Sequence, residues 1–226
     1  LGDDGKTKAC AFFDIDGTLA DLRFLHEEAI RQLFPEADPY ELSEVYFAGF
    51  KLGNSFREFD RMHGIYLEKR NEWKNPEAYR QERLLPKKEE IDRPGSELHT
   101  RAAEYARCYS TAAAEVASRI YQRSPERFWE AKARPIFRLA EAYEKLGVPL
   151  AGITANGRDF ALAVVKYIGL WELFLDVATD ETTEGGGKEV GIAYLLKRFK
   201  GRGVPIARDR LIIVGDSLRG DVGSGT

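Results

Sequence analysis

The sequence predicts an α/β fold, a parallel sheet core interrupted by an inserted all-α domain. Three observations predict it. Four short apolar runs each stop on a polar or acidic residue, and stretches with apolar residues at helical spacing lie before and between the last three. A long charged interval with helical patterning, and no convincing strand, follows the first run. Alternating strand and helix builds a parallel sheet with right-handed crossovers. A block of helices alone needs a unit of its own.

The first run, Ala9 to Phe13 (ACAFF), is too apolar to alternate and ends abruptly at Asp14. Such a run suits a strand covered on both faces. Val148 to Thr154 (VPLAGIT), Leu173 to Thr179 (LFLDVAT) and Leu211 to Asp216 (LIIVGD) read the same way. Helices are predicted over Pro135 to Leu146, opening on proline and closing on Gly147, over Arg158 to Tyr167, and over Val190 to Phe199. Within the interval, HEEAIRQLF, ELSEVYFAGF, SFREFDRMHG and EYARCYSTAAAEVASRIYQR read as amphipathic helices, and Trp73 to Gly95 as a loop-rich connection. The division expected is therefore a discontinuous core of residues 1–21 and 134–226 around a helical domain of residues 22–133. The ends of that insertion must lie close together.

Composition narrows the function. An apolar fraction of 43% and a charged fraction of 31% are ordinary for a globular chain, which disfavours disorder, collagen and coiled coil. No apolar run approaches the roughly 20 residues of a membrane span, and the start LGDDGKTKAC lacks a signal-peptide stretch. A cytoplasmic protein with no membrane partner is expected. A net charge of -3 gives no basic excess, so no nucleic-acid partner is expected. Cys10 and Cys108 read as reduced packing residues, and His26, His63 and His99 lack zinc spacing.

The chemistry concentrates at strand ends, where open parallel sheets bind ligands. Asp14-Ile15-Asp16-Gly17-Thr18 puts two carboxylates one residue apart, with Gly17 permitting a turn. The second strand ends in Thr154, followed by Ala155, Asn156 and Gly157 and then a helix, so a hydroxyl and backbone N–H groups would face an anion; a capped helix start is the equal alternative. Lys188 follows Gly185 to Gly187 and opens a helix, where its ammonium would neutralise phosphate or remain a solvated charge. The last strand runs into Gly215-Asp216-Ser217-Leu218-Arg219-Gly220-Asp221. On one sheet edge Asp14, Asp16, Asp216 and Asp221 would crowd. Two carboxylates ~4 Å apart repel by about 4 kcal/mol at an effective dielectric near ~20. Such a cluster calls for a cation, and all-oxygen ligands favour Mg²⁺. Gly187-Lys188 does not belong to a Walker loop, because Thr182 and Glu189 occupy the required Gly and Ser/Thr positions.

This ordered set resembles the haloacid dehalogenase superfamily, whose hydrolases carry D-x-D-x-T, a strand-terminal Ser or Thr, a Lys and a final acidic pair. The resemblance covers Lys8 to Asp21 and about Arg134 onward, and it implies a Rossmann-like core with an α-helical cap inserted after the first motif. It also implies roles. Asp14 would attack phosphorus to give an aspartyl-phosphate, and Asp16 would act as general acid and base. Thr154 and Lys188, with backbone N–H groups near Ala155 and Asn156, would hold the phosphoryl group. Asp14, the Asp16 carbonyl and Asp216 would bind Mg²⁺, with Asp221 in its outer shell or on Lys188.

Asp16 favours phosphate over halide chemistry, because the dehalogenase branch of the superfamily lacks this second aspartate. A small phosphorylated substrate is expected. A phosphomutase would share every core residue, and a binding protein using the large insertion would keep the fold without the activity. Asp21, Arg23 and Arg57 lie where a linker or cap meets a substrate, yet read as surface charges. The chain closes at GSGT soon after Asp221, so the final helix and strand that the resemblance implies are expected to be missing.

Overall fold

The sheet grows outward from β1, Cys10–Asp14, whose five residues are all buried. β2 (Leu150–Ile153), β3 (Phe174–Ala178) and β4 (Leu211–Val214) complete a parallel sheet in the order β3-β2-β1-β4. The chain steps from β1 to β2 to β3 in one direction and then returns to β4 on the far side of β1. β1 is therefore the strand at which the order reverses, and its carboxyl end opens on the crevice where such sheets take ligands. This computed structural model describes residues 9–33, 93, 95–183 and 187–216. Asp221, Arg57, ELSEVYFAGF, SFREFDRMHG and most of Trp73 to Gly95 lie outside the described residues.

Registry aligns the strand ends. Asp14 pairs with Ile153, and Phe13 with Val214, so Thr154 and Asp216 lie just past the ends of the strands flanking Asp14. The strand period of two sorts β1 between two layers. Cys10 and Phe12 face α7 (Gly187–Gly201), joining Ala151, Ile153, Ala178, Ile192, Leu195 and Phe199 in one buried cluster. Phe12 meets Phe199 edge to face at 5.7 Å. A Cβ on Gly191 would lie 3.1 Å from Ile153 Cδ1, so the glycine lets α7 settle close on the sheet. Phe13 packs against Phe174 and against Tyr143 of α4 (Arg134–Lys145). α5 (Arg158–Tyr167) buries Phe160, Ala161, Val164 and Val165. Burial also pushes the Cys10 thiol up to about 12, so it packs as a small apolar group.

The chain divides into two compact units, residues 1–24 with 117–226, and residues 25–116. In the sheet-bearing unit the segments before and after the inserted interval are bonded to each other. Asp21 N–H donates to the Ala131 carbonyl at 3.0 Å, and Ala133 N–H to the Leu19 carbonyl at 2.9 Å. The last turns of α2 (Glu97–Arg123) and the short α3 (Glu126–Ala131) belong to this unit, where Phe128 is enclosed by Phe24, Tyr121 and Tyr167. The second unit holds most of α1 (Arg23–Leu33) and the start of α2. There His26 and Tyr109 are buried with stacked rings, and Nδ1 and the phenol oxygen stand 2.5 Å apart. Among the described residues no helix is long and apolar enough to cross a membrane.

Two expectations need correction. β3 and β4 are not covered on both faces: Leu175 and Ile212 are exposed, because these strands sit at the margins of the described sheet. Cys108 is not a packing residue. The buried stripe of α2 runs through Tyr109, Ala112, Ala113, Val116 and Ala117, and Cys108 falls outside it, free and exposed.

At the outer margin of β3, the Arg202 guanidinium donates to the Leu175 carbonyl, and Arg198 reaches Asp176 at 2.9 Å.

Candidate active site

Asp14 ends a fully buried strand and is itself only 6% exposed. A carboxylate so placed requires compensation. Lys188, in the first turn of α7, supplies it with Nζ 3.0 Å from Asp14 Oδ1. The lysine arrives there because α7 crosses β2 and β3 with its buried face on the sheet, bringing its N-terminal turn to the carboxyl edge of the strands.

The turn after β1 is fixed by main-chain bonds. Gly17 N–H donates to the Ala20 carbonyl at 2.9 Å, and Leu19 N–H to the Ile15 carbonyl at 3.0 Å. Gly17 has φ of +78°, a left-handed conformation that a side chain would strain. A Cβ there would also stand 2.7 Å from Asp216 Oδ2. The missing side chain thus leaves the space that the Asp216 carboxylate occupies. Thr18 completes the turn, its hydroxyl 3.4 Å from Asp14 Oδ2 and 3.3 Å from Asp216 Oδ1. The threonine therefore spans both carboxylates, a role that its place in the motif alone does not assign. Asp16, half-buried, lies in the same turn, in a bridge with Ala20.

On the β2 side, Thr154 is buried and its hydroxyl oxygen accepts the Asn156 N–H at 3.1 Å. That amide is committed inside the loop, while Ala155 between them is half-buried. Asn156 Oδ1 is buried without a hydrogen-bond partner among the described residues. An amide oxygen left orphaned in a protein interior costs about 1–3 kcal/mol. Asp21 and Arg23 pair with each other at 2.9 Å on the surface, in keeping with the reading of both as surface charges.

The donor chemistry fits a hard divalent cation. Asp14 and Asp216 offer carboxylate oxygens to either side of one hydroxyl, and the set is all oxygen. Among the described residues no three His, Cys, Asp or Glu side chains form a cage. Carboxylate oxygens are the donor type that Mg²⁺ takes, alongside waters and a phosphate oxygen.

Comparison with known proteins agrees with this architecture. The chain resembles CbbY from Rhodobacter sphaeroides in complex with phosphate, at TM-score 0.58 and 18% identity over 97% of this chain and 84% of that one. It resembles YfnB from Bacillus subtilis bound to magnesium, at TM-score 0.55 and 17% identity over 97% and 85%. The β-phosphoglucomutase of Clostridium difficile follows, at TM-score 0.52 and 15% identity over 95% and 78%. At these identities the likeness is one of fold. No curated protein matches the sequence. A model of the haloacid dehalogenase-like hydrolases, however, matches residues 8–226, nearly the whole chain, and the protein belongs to that family of hydrolases.

Proposed function

We propose that the protein is a magnesium-dependent phosphohydrolase acting on a small phosphorylated molecule through an aspartyl-phosphate, with the compact unit of residues 25–116, inside the interval 22–133 expected from the sequence, serving as its helical cap. The observation that carries this reading is the 3.0 Å contact between the buried Asp14 carboxylate and Lys188 at the reversal point of the sheet. A nucleophile held against a cation has the charge environment that phosphoryl transfer needs, since that reaction depends mainly on positioning and charge stabilisation.

In this reading an Asp14 oxygen attacks phosphorus, the ester bond breaks, and Asp16 donates a proton to the departing oxygen. Asp16, now a carboxylate, takes a proton from the water that hydrolyses the aspartyl-phosphate. Lys188 offsets phosphoryl charge, and Thr154 with the Ala155 amide orients the phosphoryl oxygens. Asp14, the Asp16 carbonyl and Asp216 would hold the metal, which supplies charge neutralisation between two anions, nucleophile and substrate. Asp221 is assigned to the shell beyond them.

Phosphate release from a panel of small phosphate monoesters with magnesium tests this. Asp14→Asn is expected to lower turnover by at least about a thousandfold. Failure of the wild-type enzyme on every ester would sink the reading. Retention of phosphate on product sugars would turn it into a mutase.

A further inference from the structure

The β2 loop is held from outside by a single-turn helix, α6 (Asp180–Thr183). Asp180 N–H donates to the Asn156 carbonyl at 3.1 Å. Glu181 Oε2 accepts the Arg158 N–H at 2.7 Å and the Thr179 hydroxyl at 3.1 Å. Arg158 opens α5, and its N–H is one of the donors that a helix start leaves unsatisfied. The residue in the capping position is Gly157, which has no side chain to do the work. A carboxylate more than twenty residues further along the chain caps the helix instead, with a charge-assisted bond.

α6 is too short to persist on helical propensity. Its own hydroxyls lock it. Thr182 Oγ1 accepts the Thr179 N–H at 2.7 Å and donates to the Thr179 carbonyl at 2.8 Å, while Thr183 Oγ1 donates to the Asp180 carbonyl at 3.0 Å. Thr179, 1% exposed, anchors the turn in the core. α6 also lies against α7, whose first turn carries Lys188. One hydrogen-bonded turn thus bonds to the Thr154 loop and lies beside the helix that delivers the lysine.

We propose that Glu181 is a positioning residue whose carboxylate ties the start of α5, directly after the Thr154–Gly157 loop, to α6 beside the main-chain Asp180–Asn156 bond, and so steadies that loop's spacing from Lys188; its effect on turnover rests on the phosphohydrolase reading above. A cap supplied by a neighbouring Ser or Asp would steady α5 alone. A cap supplied from α6 links the two groups that would grip a phosphoryl group.

Amide hydrogen exchange and steady-state kinetics on Glu181→Ala, Glu181→Gln and Thr179→Val test this. In Glu181→Ala the amides of Asn156 to Phe160 are expected to exchange faster while β1 and β2 stay protected. kcat/KM is expected to fall about tenfold, the worth of one good hydrogen bond. Glu181→Gln keeps an acceptor oxygen and is expected to return both readouts to within about threefold of wild type. Thr179→Val, which removes only the steadying hydroxyl, is expected to move both the same way by less. Wild-type exchange in the loop of Glu181→Ala, or no rescue by Gln, overturns the proposal. If wild type hydrolyses no phosphate ester, the phosphohydrolase reading falls, and loop exchange alone still decides whether Glu181 is the tie.

Discussion

At the end of β1 the site is built from charge: Asp14 meets Lys188 through one carboxylate oxygen and, through the other, the Thr18 hydroxyl that also reaches Asp216. At the end of β2 it is built from neutral groups, the Thr154 hydroxyl and loop amides, beside an Asn156 oxygen that has no hydrogen-bond partner among the described residues. On the proposed phosphohydrolase reading, the two arms would divide the labour of handling a phosphoryl group. Charge near the proposed nucleophile would lower the cost of bringing anions together, and neutral donors would set orientation without adding repulsion. The charged arm should therefore govern rate and metal requirement. The neutral arm should govern fit.

Experiments that break the comparison can be ranked. Removing divalent metal with a chelator is expected to abolish phosphate release, with recovery on adding magnesium; full activity in chelator would remove the charged arm's premise. Lys188→Ala is expected to cost about 10²–10³-fold in kcat, the worth of one preorganised charge-stabilising group. A loss below about threefold would make that lysine a surface charge. Thr154→Val is expected to cost about tenfold in kcat/KM, since it removes a single neutral hydrogen bond, while the magnesium dependence stays as in wild type. A shift in metal requirement there would erase the distinction between the arms. Gly17→Ala is expected to destabilise the protein by about 1–2 kcal/mol through its left-handed backbone, read as a lower Tm. Its Cβ would also crowd Asp216, so a few-fold higher magnesium requirement is expected alongside.

Reading the sequence succeeded where local pattern carries the information. ACAFF followed by Asp14 states a buried strand and its end, and RDFALAVVKY gives α5 to the residue. Contacts between distant segments escaped it. That β1 is central and β3 marginal depends on strand order, which no local run encodes, so LFLDVAT and ACAFF look alike although Leu175 is exposed and Phe12 is not. Thr18 was visible in its motif, but its reach to Asp216 depends on β4 pairing beside β1. Glu181 gave less signal still. Only Gly157 at a helix start, lacking a capping side chain, hinted that the bond must come from elsewhere.

The guanidinium of Arg202 on the Leu175 carbonyl bears on how this molecule meets others of its kind. An outer strand invites a foreign strand to add, and the usual protections are charge and occupied main-chain groups. β3 has both. An incoming strand would have to displace Arg202 from the carbonyl and break the Arg198–Asp176 pair before forming its first ladder bond. Growth of the sheet by strand addition, whether in crowded cells or in concentrated stock, is guarded on that side by two arginines, Arg198 in the helix whose first turn carries Lys188 and Arg202 just past the end of that helix.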